Sequence, residues 1–145
     1  MSDINEVIKN KKTNLNPIWI MRQAGRYLPE FRDIRKKNTD FIKLCLNHDL
    51  SSEITLQPLK RFELDAAIIF SDILMVPYCL NQKFEFKKNF GPILGELNLR
   101  EISTFKEKDF TEKLKPVYMA IDLVKKNVLT QNKSCLLYTS DAADE

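Results

Sequence analysis

One histidine, His48, and three cysteines, Cys45, Cys79 and Cys135, are the only imidazole and thiol ligands in the 145 residues. A lone imidazole cannot build a histidine-based metal site. Three cysteines without paired spacing read as free buried thiols, not as a disulfide frame or a zinc centre. Cys-rich or histidine-based metal chemistry is therefore not expected. Long apolar runs are also missing, since nothing approaches the roughly 20 consecutive apolar residues of a membrane span. The opening stretch MSDINEVIKNKK has no apolar segment of the kind a secretory signal needs. The expected setting is cytoplasmic, with no membrane partner. Charge of one sign is scarce as well: the net charge is +3, too small to point to nucleic acid. Lysine supplies 17 of the 23 cations and is spread along the chain as on a solvated surface. No internal repeat is visible, and the one biased segment is the Lys/Asn-rich stretch Asn10–Asn16.

What remains is ordinary for one globular domain, 43% apolar and 30% charged. A short helix is expected from Asp3 to about Lys12, broken by Asn14, Asn16 and Pro17. The apolar run Ile18–Met21 predicts a buried strand. Gly25 and Pro29 both oppose a helix, so Arg22–Pro29 should be loop. Helices follow from Pro29 to Lys37, from a Thr39 cap through Cys45, and from Asp49 to Phe62 with a kink or break at Pro58. DAAIIFSD, Asp65–Asp72, predicts a second buried strand of the parallel type. Leu74–Glu101 reads as irregular except for the alternating Lys83–Lys87, a short hairpin strand. Val117, Ile121, Val124 and Val128 mark a helix with Pro116 in its first turn, and Ser134–Tyr138 starts a third strand. This alternation indicates an α/β fold with a parallel sheet. It leaves open whether the sheet closes, because an eight-stranded barrel takes roughly 250 residues.

Arginine is sparse, with six in the chain, yet IMRQAGRYLPEFR holds two of them four positions apart across an Ala-Gly pair. Arg22, Gln23 and Arg26 follow the first expected strand, and Ser71 and Asp72 follow the second. Ligands in α/β folds bind beyond the carboxyl ends of parallel strands. Two guanidiniums offer forked donors to carboxylates or phosphates, and a carboxylate facing them could accept N–H bonds or act in acid–base chemistry. The implied ligand is acidic at its rim and a hydrogen-bond donor at its centre. Blander readings remain open: two arginines on an exposed helix face, Asp72 as a cap or turn residue, and His48-Asp49 as a surface turn.

PIWIMRQAGRYLPEFR, Pro17–Arg32, resembles the N-terminal signature of the uroporphyrinogen decarboxylase family. LQPLKRFELDAAIIFSDILMVP, Leu56–Pro77, resembles the same family's second block, and FGPIL, Phe90–Leu94, is compatible with its Gly-Pro loop. The resemblance implies the N-terminal part of a (β/α)8 TIM barrel, incomplete in this chain, from an enzyme that is generally a homodimer and uses no cofactor or metal. It implies a tetrapyrrole substrate whose acetate side chains are decarboxylated, uroporphyrinogen becoming coproporphyrinogen. Arg22 and Arg26 resemble the arginines that grip substrate carboxylates, and Gln23, Ala24 and Gly25 complete that substrate-binding loop. Asp72 resembles the aspartate that sits under the macrocycle and accepts its pyrrole N–H groups. Asp72 and Arg26 are the catalytic candidates.

The resemblance covers about residues 3 to 134, so residues 1–134 are expected to be the family segment and 135–145 an atypical tail. Residues 1–134 hold 23 basic and 17 acidic side chains, a balance of +6, whereas the last eleven add three acids and no base. The tail is expected to be foreign to the gene; an in-frame stop at this place in the genome would defeat that idea. The family's later tyrosine, serine and histidine have no counterpart here, so the isolated chain is expected to be inactive. The rival readings are a zinc methyltransferase of the same superfamily, with its ligands outside this segment, and an inert or merely anion-binding fragment.

Overall fold

A computed structural model describes residues 3–11, 14, 16–87, 90–130 and 135–137. Helix α1 (Asp3–Asn10) falls where the first apolar stripe predicts it. α2 (Pro29–Lys37) begins on its proline, whose fixed φ suits the first helical position. Glu30 in its first turn and Arg35, Lys36 and Lys37 in its last complement the macrodipole. α3 (Phe41–Cys45) is capped by Asp40 and not by Thr39: the Asp40 carboxylate accepts the Lys43 N–H at 3.1 Å. α4 (His48–Arg61) is capped by Asn47, whose Oδ1 accepts the Leu50 N–H at 3.0 Å.

Neither internal proline divides its helix. Pro58 lies one turn from the end of α4, where the Phe62 N–H closes onto its carbonyl at 2.9 Å. Pro116, expected in a first turn, lies well inside α7 (Glu107–Thr130), which starts nine residues earlier. A proline removes one ladder bond. The buried stripe Leu114, Val117, Ala120, Val124 and Val128 runs unbroken past it, and that burial outweighs the lost bond.

Between these helices lie β1 (Ala66–Ile68), α5 (Met75–Cys79), the hairpin of β2 (Phe84–Lys87) and β3 (Gly91–Leu94), and α6 (Leu99–Thr104); β4 (Cys135–Leu137) follows α7. β1 and β4 pair in parallel, Ala66 opposite Cys135 and Ile68 opposite Leu137, with α7 on the crossover between them. β4 thus takes up part of the expected third strand while lying within the segment whose composition departs from the rest. β2 and β3 pair antiparallel, with Gly91 at φ +79, a left-handed value that favours glycine. The α/β reading with a parallel pair therefore holds, as two separate two-stranded sheets among the described residues. Residues 138–145 lie outside the described part.

The first expected strand does not form: Ile18–Met21 is not a strand, and Ile18, Trp19, Ile20 and Met21 are 60%, 43%, 46% and 51% exposed. Its tie to β1 is local: Asp65 donates its N–H to the Ile18 carbonyl at 2.8 Å, and the Ile18 N–H donates to Asp65 Oδ2 at 2.7 Å. An apolar run becomes a buried strand only when other elements cover it, and here little does.

The core forms three clusters. Leu28, Phe31, Leu44 and Ile54 pack beneath the arginine loop. Ile42, Cys45, Leu74, Met75, Cys79, Leu114 and Val117 join α3, α5 and α7. Ile69, Ala120, Val124 and Val128 seat α7 against the chain leaving β1. On the outer side, Arg61 at the end of α4 grips Glu30 at the start of α2 through two bonds of 2.6 and 2.8 Å.

Candidate functional site

The loop between Arg22 and Leu28 is non-helical, as expected, but glycine is not the main reason. Gly25 does not adopt a left-handed φ, and a methyl group added there would meet only the Tyr27 ring at an ordinary 3.6 Å. The loop is held by Gln23, which is 2% exposed. Its Nε2 donates to the Ala66 carbonyl at 2.7 Å and its Oε1 accepts the Ile68 N–H at 3.1 Å. In a parallel ladder, one neighbouring residue bonds the C=O of residue i and the N–H of residue i+2 through its own backbone. The Gln23 side chain does that with its amide, on the edge of β1 away from β4, where no strand pairs among the described residues.

Further ties shape the rest of the loop. The Tyr27 hydroxyl donates to the Gln23 carbonyl, and the Leu28 N–H closes a turn onto the Gly25 carbonyl at 3.0 Å. Arg32 reaches back from α2 and donates to the carbonyls of Arg26 and Tyr27 at 2.8 and 3.3 Å. Burial, with the Glu30 charge second, raises the Tyr27 phenol above its usual range. Ala24 packs on the cluster of Leu28 and Phe31. Arg22 and Arg26 are left at the exposed rim. Among the described residues, nothing pairs with the Arg26 guanidinium.

Asp72 lies four residues beyond β1 and is half-buried. Its Oδ1 accepts the Leu74 N–H at 2.8 Å and its carbonyl accepts the Met75 N–H at 3.0 Å, which starts the turn into α5. The blander reading of Asp72 as a turn residue thus holds for one carboxylate oxygen, and it also orients the group. Cys45 sits nearby: burial pushes its thiol up to about 12, with the Asp72 charge adding to the shift.

The chain entering that turn is fixed by α4. The Phe70 N–H donates to Thr55 Oγ1 at 2.8 Å, and Thr55 Oγ1 donates to the Ser51 carbonyl at 2.7 Å. Ser51 Oγ donates to the Phe70 carbonyl at 2.6 Å. Ser51 and Thr55 are 1% and 0% exposed. The Phe70 ring is met edge-on by Phe31 at 5.8 Å and Phe41 at 6.0 Å. Reading the sequence for chemistry passes over Ser51 and Thr55, although one signal is there: two hydroxyls at i and i+4 on the face of α4 that also buries Ile54 and Pro58.

Both expected constellations are thus anchored to β1 or its extension. Gln23 is tied to the strand with both ends of its amide, so it supports the loop. His48 Nε2 and Asp49 Oδ2 stand 3.5 Å apart in the first turn of α4, where Asp49 is exposed. Among the described residues, no group of three or more His, Cys, Asp or Glu side chains lies together, and no helix is long and apolar enough to cross a membrane.

A sequence profile described as uroporphyrinogen decarboxylase (URO-D) matches residues 1–135. Proteins named uroporphyrinogen decarboxylase from Brucella ovis, Brucella canis and Brucella abortus are each 46% identical over 112 residues, which is 77% of this chain and 33% of theirs. The chain therefore spans about a third of the length of the curated relatives it matches. Because the profile runs through both anchored loops and nearly all of the sequence, the chain belongs to the uroporphyrinogen decarboxylase family.

Proposed function

We propose that the full-length protein decarboxylates the four acetate side chains of uroporphyrinogen, giving coproporphyrinogen and carbon dioxide in porphyrin and haem biosynthesis. The observation that most supports this is the two-arginine loop anchored through Gln23 to the strand that leads into Asp72. Arg22 and Arg26 present guanidinium forks to the carboxylates at the substrate rim. Ala24 and Gly25 complete that loop, and Gln23 holds it.

The chemistry follows from the substrate. Protonation of a pyrrole carbon makes the ring cationic, and the Asp72 carboxylate offsets that developing charge while accepting pyrrole N–H bonds. The bond between the acetate methylene and its carboxylate then breaks. Carbon dioxide leaves, and the electron pair flows into the ring. The exocyclic carbon takes up a proton to become methyl, and the ring returns its extra proton. Each cycle consumes one proton, and the ring is its own electron sink, so no cofactor is required.

Residues 1–134 supply the N-terminal part of a (β/α)8 barrel, 135–145 depart from it, and the full-length enzyme works as a cytoplasmic homodimer. The remainder of the barrel supplies the rest of the pocket, so the 145-residue chain alone does not turn over substrate. The test is anaerobic incubation of uroporphyrinogen with the full-length form and with the isolated chain. Stepwise loss of carboxylates is expected from the first only. Asp72→Asn should lower kcat by about 10²- to 10³-fold. Failure of the full-length form to consume uroporphyrinogen would refute the assignment, turnover by the isolated chain would refute its inactivity, and full activity after Asp72→Asn would refute the role given to Asp72.

A further inference from the structure

We propose that Ser51 and Thr55 are positioning residues that set where the Asp72 carboxylate stands. The proposal rests on the role of Asp72 given above. Phe70 is half-buried and lies past the end of β1, so its N–H and C=O have no β1 ladder to join and take their partners elsewhere. α4 supplies them: Thr55 Oγ1 takes the N–H and Ser51 Oγ gives its proton to the carbonyl. Thr55 passes its own proton to the Ser51 carbonyl, which closes a circuit of three bonds with each hydroxyl proton used. The backbone is thus anchored at Phe70, and again at Leu74, whose N–H the Asp72 carboxylate accepts. Only Ser71, Asp72 and Ile73 lie between those anchors. A group that acts on developing charge does so through distance, and a misplacement of about 1 Å can cost on the order of 10² in rate.

A purely structural pair of hydroxyls would behave differently, and a double-mutant cycle in the full-length enzyme separates the two cases. Thr55→Val keeps the shape and removes the hydroxyl, so kcat should fall about 10- to 100-fold with KM held within about twofold. Thr55→Ser, which keeps the oxygen, should recover wild-type kcat. In an Asp72→Asn background, Thr55→Val should cost less than about twofold more, because the group it positions is already disabled. The same loss in both backgrounds would overturn the proposal, as would a lower Tm with unchanged kcat. If Thr55→Val does not fold, Ser51→Ala, which leaves the Phe70 N–H bonded, enters the same cycle. An Asp72→Asn enzyme with full kcat would bring down the reading of Asp72 and this proposal with it. An additive cycle beside an impaired Asp72→Asn enzyme would bring down this proposal alone.

Discussion

Replacing Gln23 tests the most specific structural claim about the arginine loop. Gln23→Leu preserves volume but leaves the Ala66 carbonyl and the Ile68 N–H without partners on that edge of β1. Each orphaned buried group costs about 1–3 kcal/mol. Ala66 is fully buried and Ile68 is half-buried, so about 2–4 kcal/mol is a fair total. For a chain near 150 residues this lowers Tm by roughly 5–15 °C. Gln23→Glu is sharper, because it keeps the acceptor for the Ile68 N–H but turns a second oxygen toward the Ala66 carbonyl. Only the protonated carboxyl can donate there, so folding raises the pKa of the introduced carboxyl above its unfolded value near ~4.3. A carboxyl with a raised folded pKa binds more protons in the native state. Its contribution is present at low pH and is lost as pH rises through the folded pKa. The Tm gap between wild type and Gln23→Glu should therefore be small near about pH 4 and widen toward about pH 8. Differential scanning calorimetry across that range is the assay. A Gln23→Leu variant within about 0.5 kcal/mol of wild type, or a pH-independent gap for Gln23→Glu, would refute the reasoning.

Gly25→Ala should leave Tm unchanged or raise it slightly, since no left-handed φ is needed and the methyl meets only the Tyr27 ring; if activity of the full-length enzyme nonetheless falls, the glycine serves close approach of the substrate, which steady-state kinetics will show. Arg61 holds the Glu30 carboxyl down to about 2, from the usual 4.5. A depressed carboxyl contributes stability above its unfolded pKa that is lost as pH falls through its folded one, so the Tm loss of Arg61→Met should be present at neutral pH and fade from about 4.5 toward about 2, in urea or thermal melts. Cys45 and Cys79 are free and buried, and burial is the first cause raising both thiols. Native protein should therefore resist maleimide at these two positions and react once unfolded, read by mass spectrometry; fast native labelling of Cys45 would contradict its burial.

The local rules that work are those whose partners lie within a turn. Pro29 at the start of α2, the stripe of α7 and the alternation of Lys83–Lys87 are all short-range signals, and each has its element. α5 falls within, and α6 begins within, the stretch Leu74–Glu101 read as irregular; for α6 the signal is there, since Asn98 and Glu101 form a capping pattern: Asn98 Oδ1 accepts from the Arg100 and Glu101 N–H groups, and its Nδ2 reaches Glu101 at 2.9 Å. Gly91 and Pro92 make β3 look like loop, yet both sit in a strand that, among the described residues, pairs with β2 alone and so presents an open edge, where proline is tolerated. Ile18–Met21 fails in the opposite sense. Its composition fits a buried strand, but burial is a property of what lies beside a segment, and the described residues do not cover it.

The site shows the same division between identity and support. The residue types that bear on chemistry, two arginines around Ala-Gly and an aspartate after an apolar strand, are visible as motifs. Their supports are not, because the Gln23 amide bonds residues 43 and 45 positions away, and Ser51 and Thr55 bond one 19 and 15 positions away. No periodicity or spacing rule reaches that far. Gln23 gains a supporting role as a result. In the motif it stands between two ligand-binding candidates and is read with them, whereas its two bonds to β1 make it the means by which the arginines keep their place. An arginine loop held by one buried amide, and a Phe70 backbone held by two buried hydroxyls, depend on neutral hydrogen bonds that salt screens far less than surface charge pairs. If Arg22 and Arg26 bind substrate as proposed, raising ionic strength should weaken that capture while leaving the geometry of the loop intact, a separation between KM and Tm that a site held by surface ion pairs would not give.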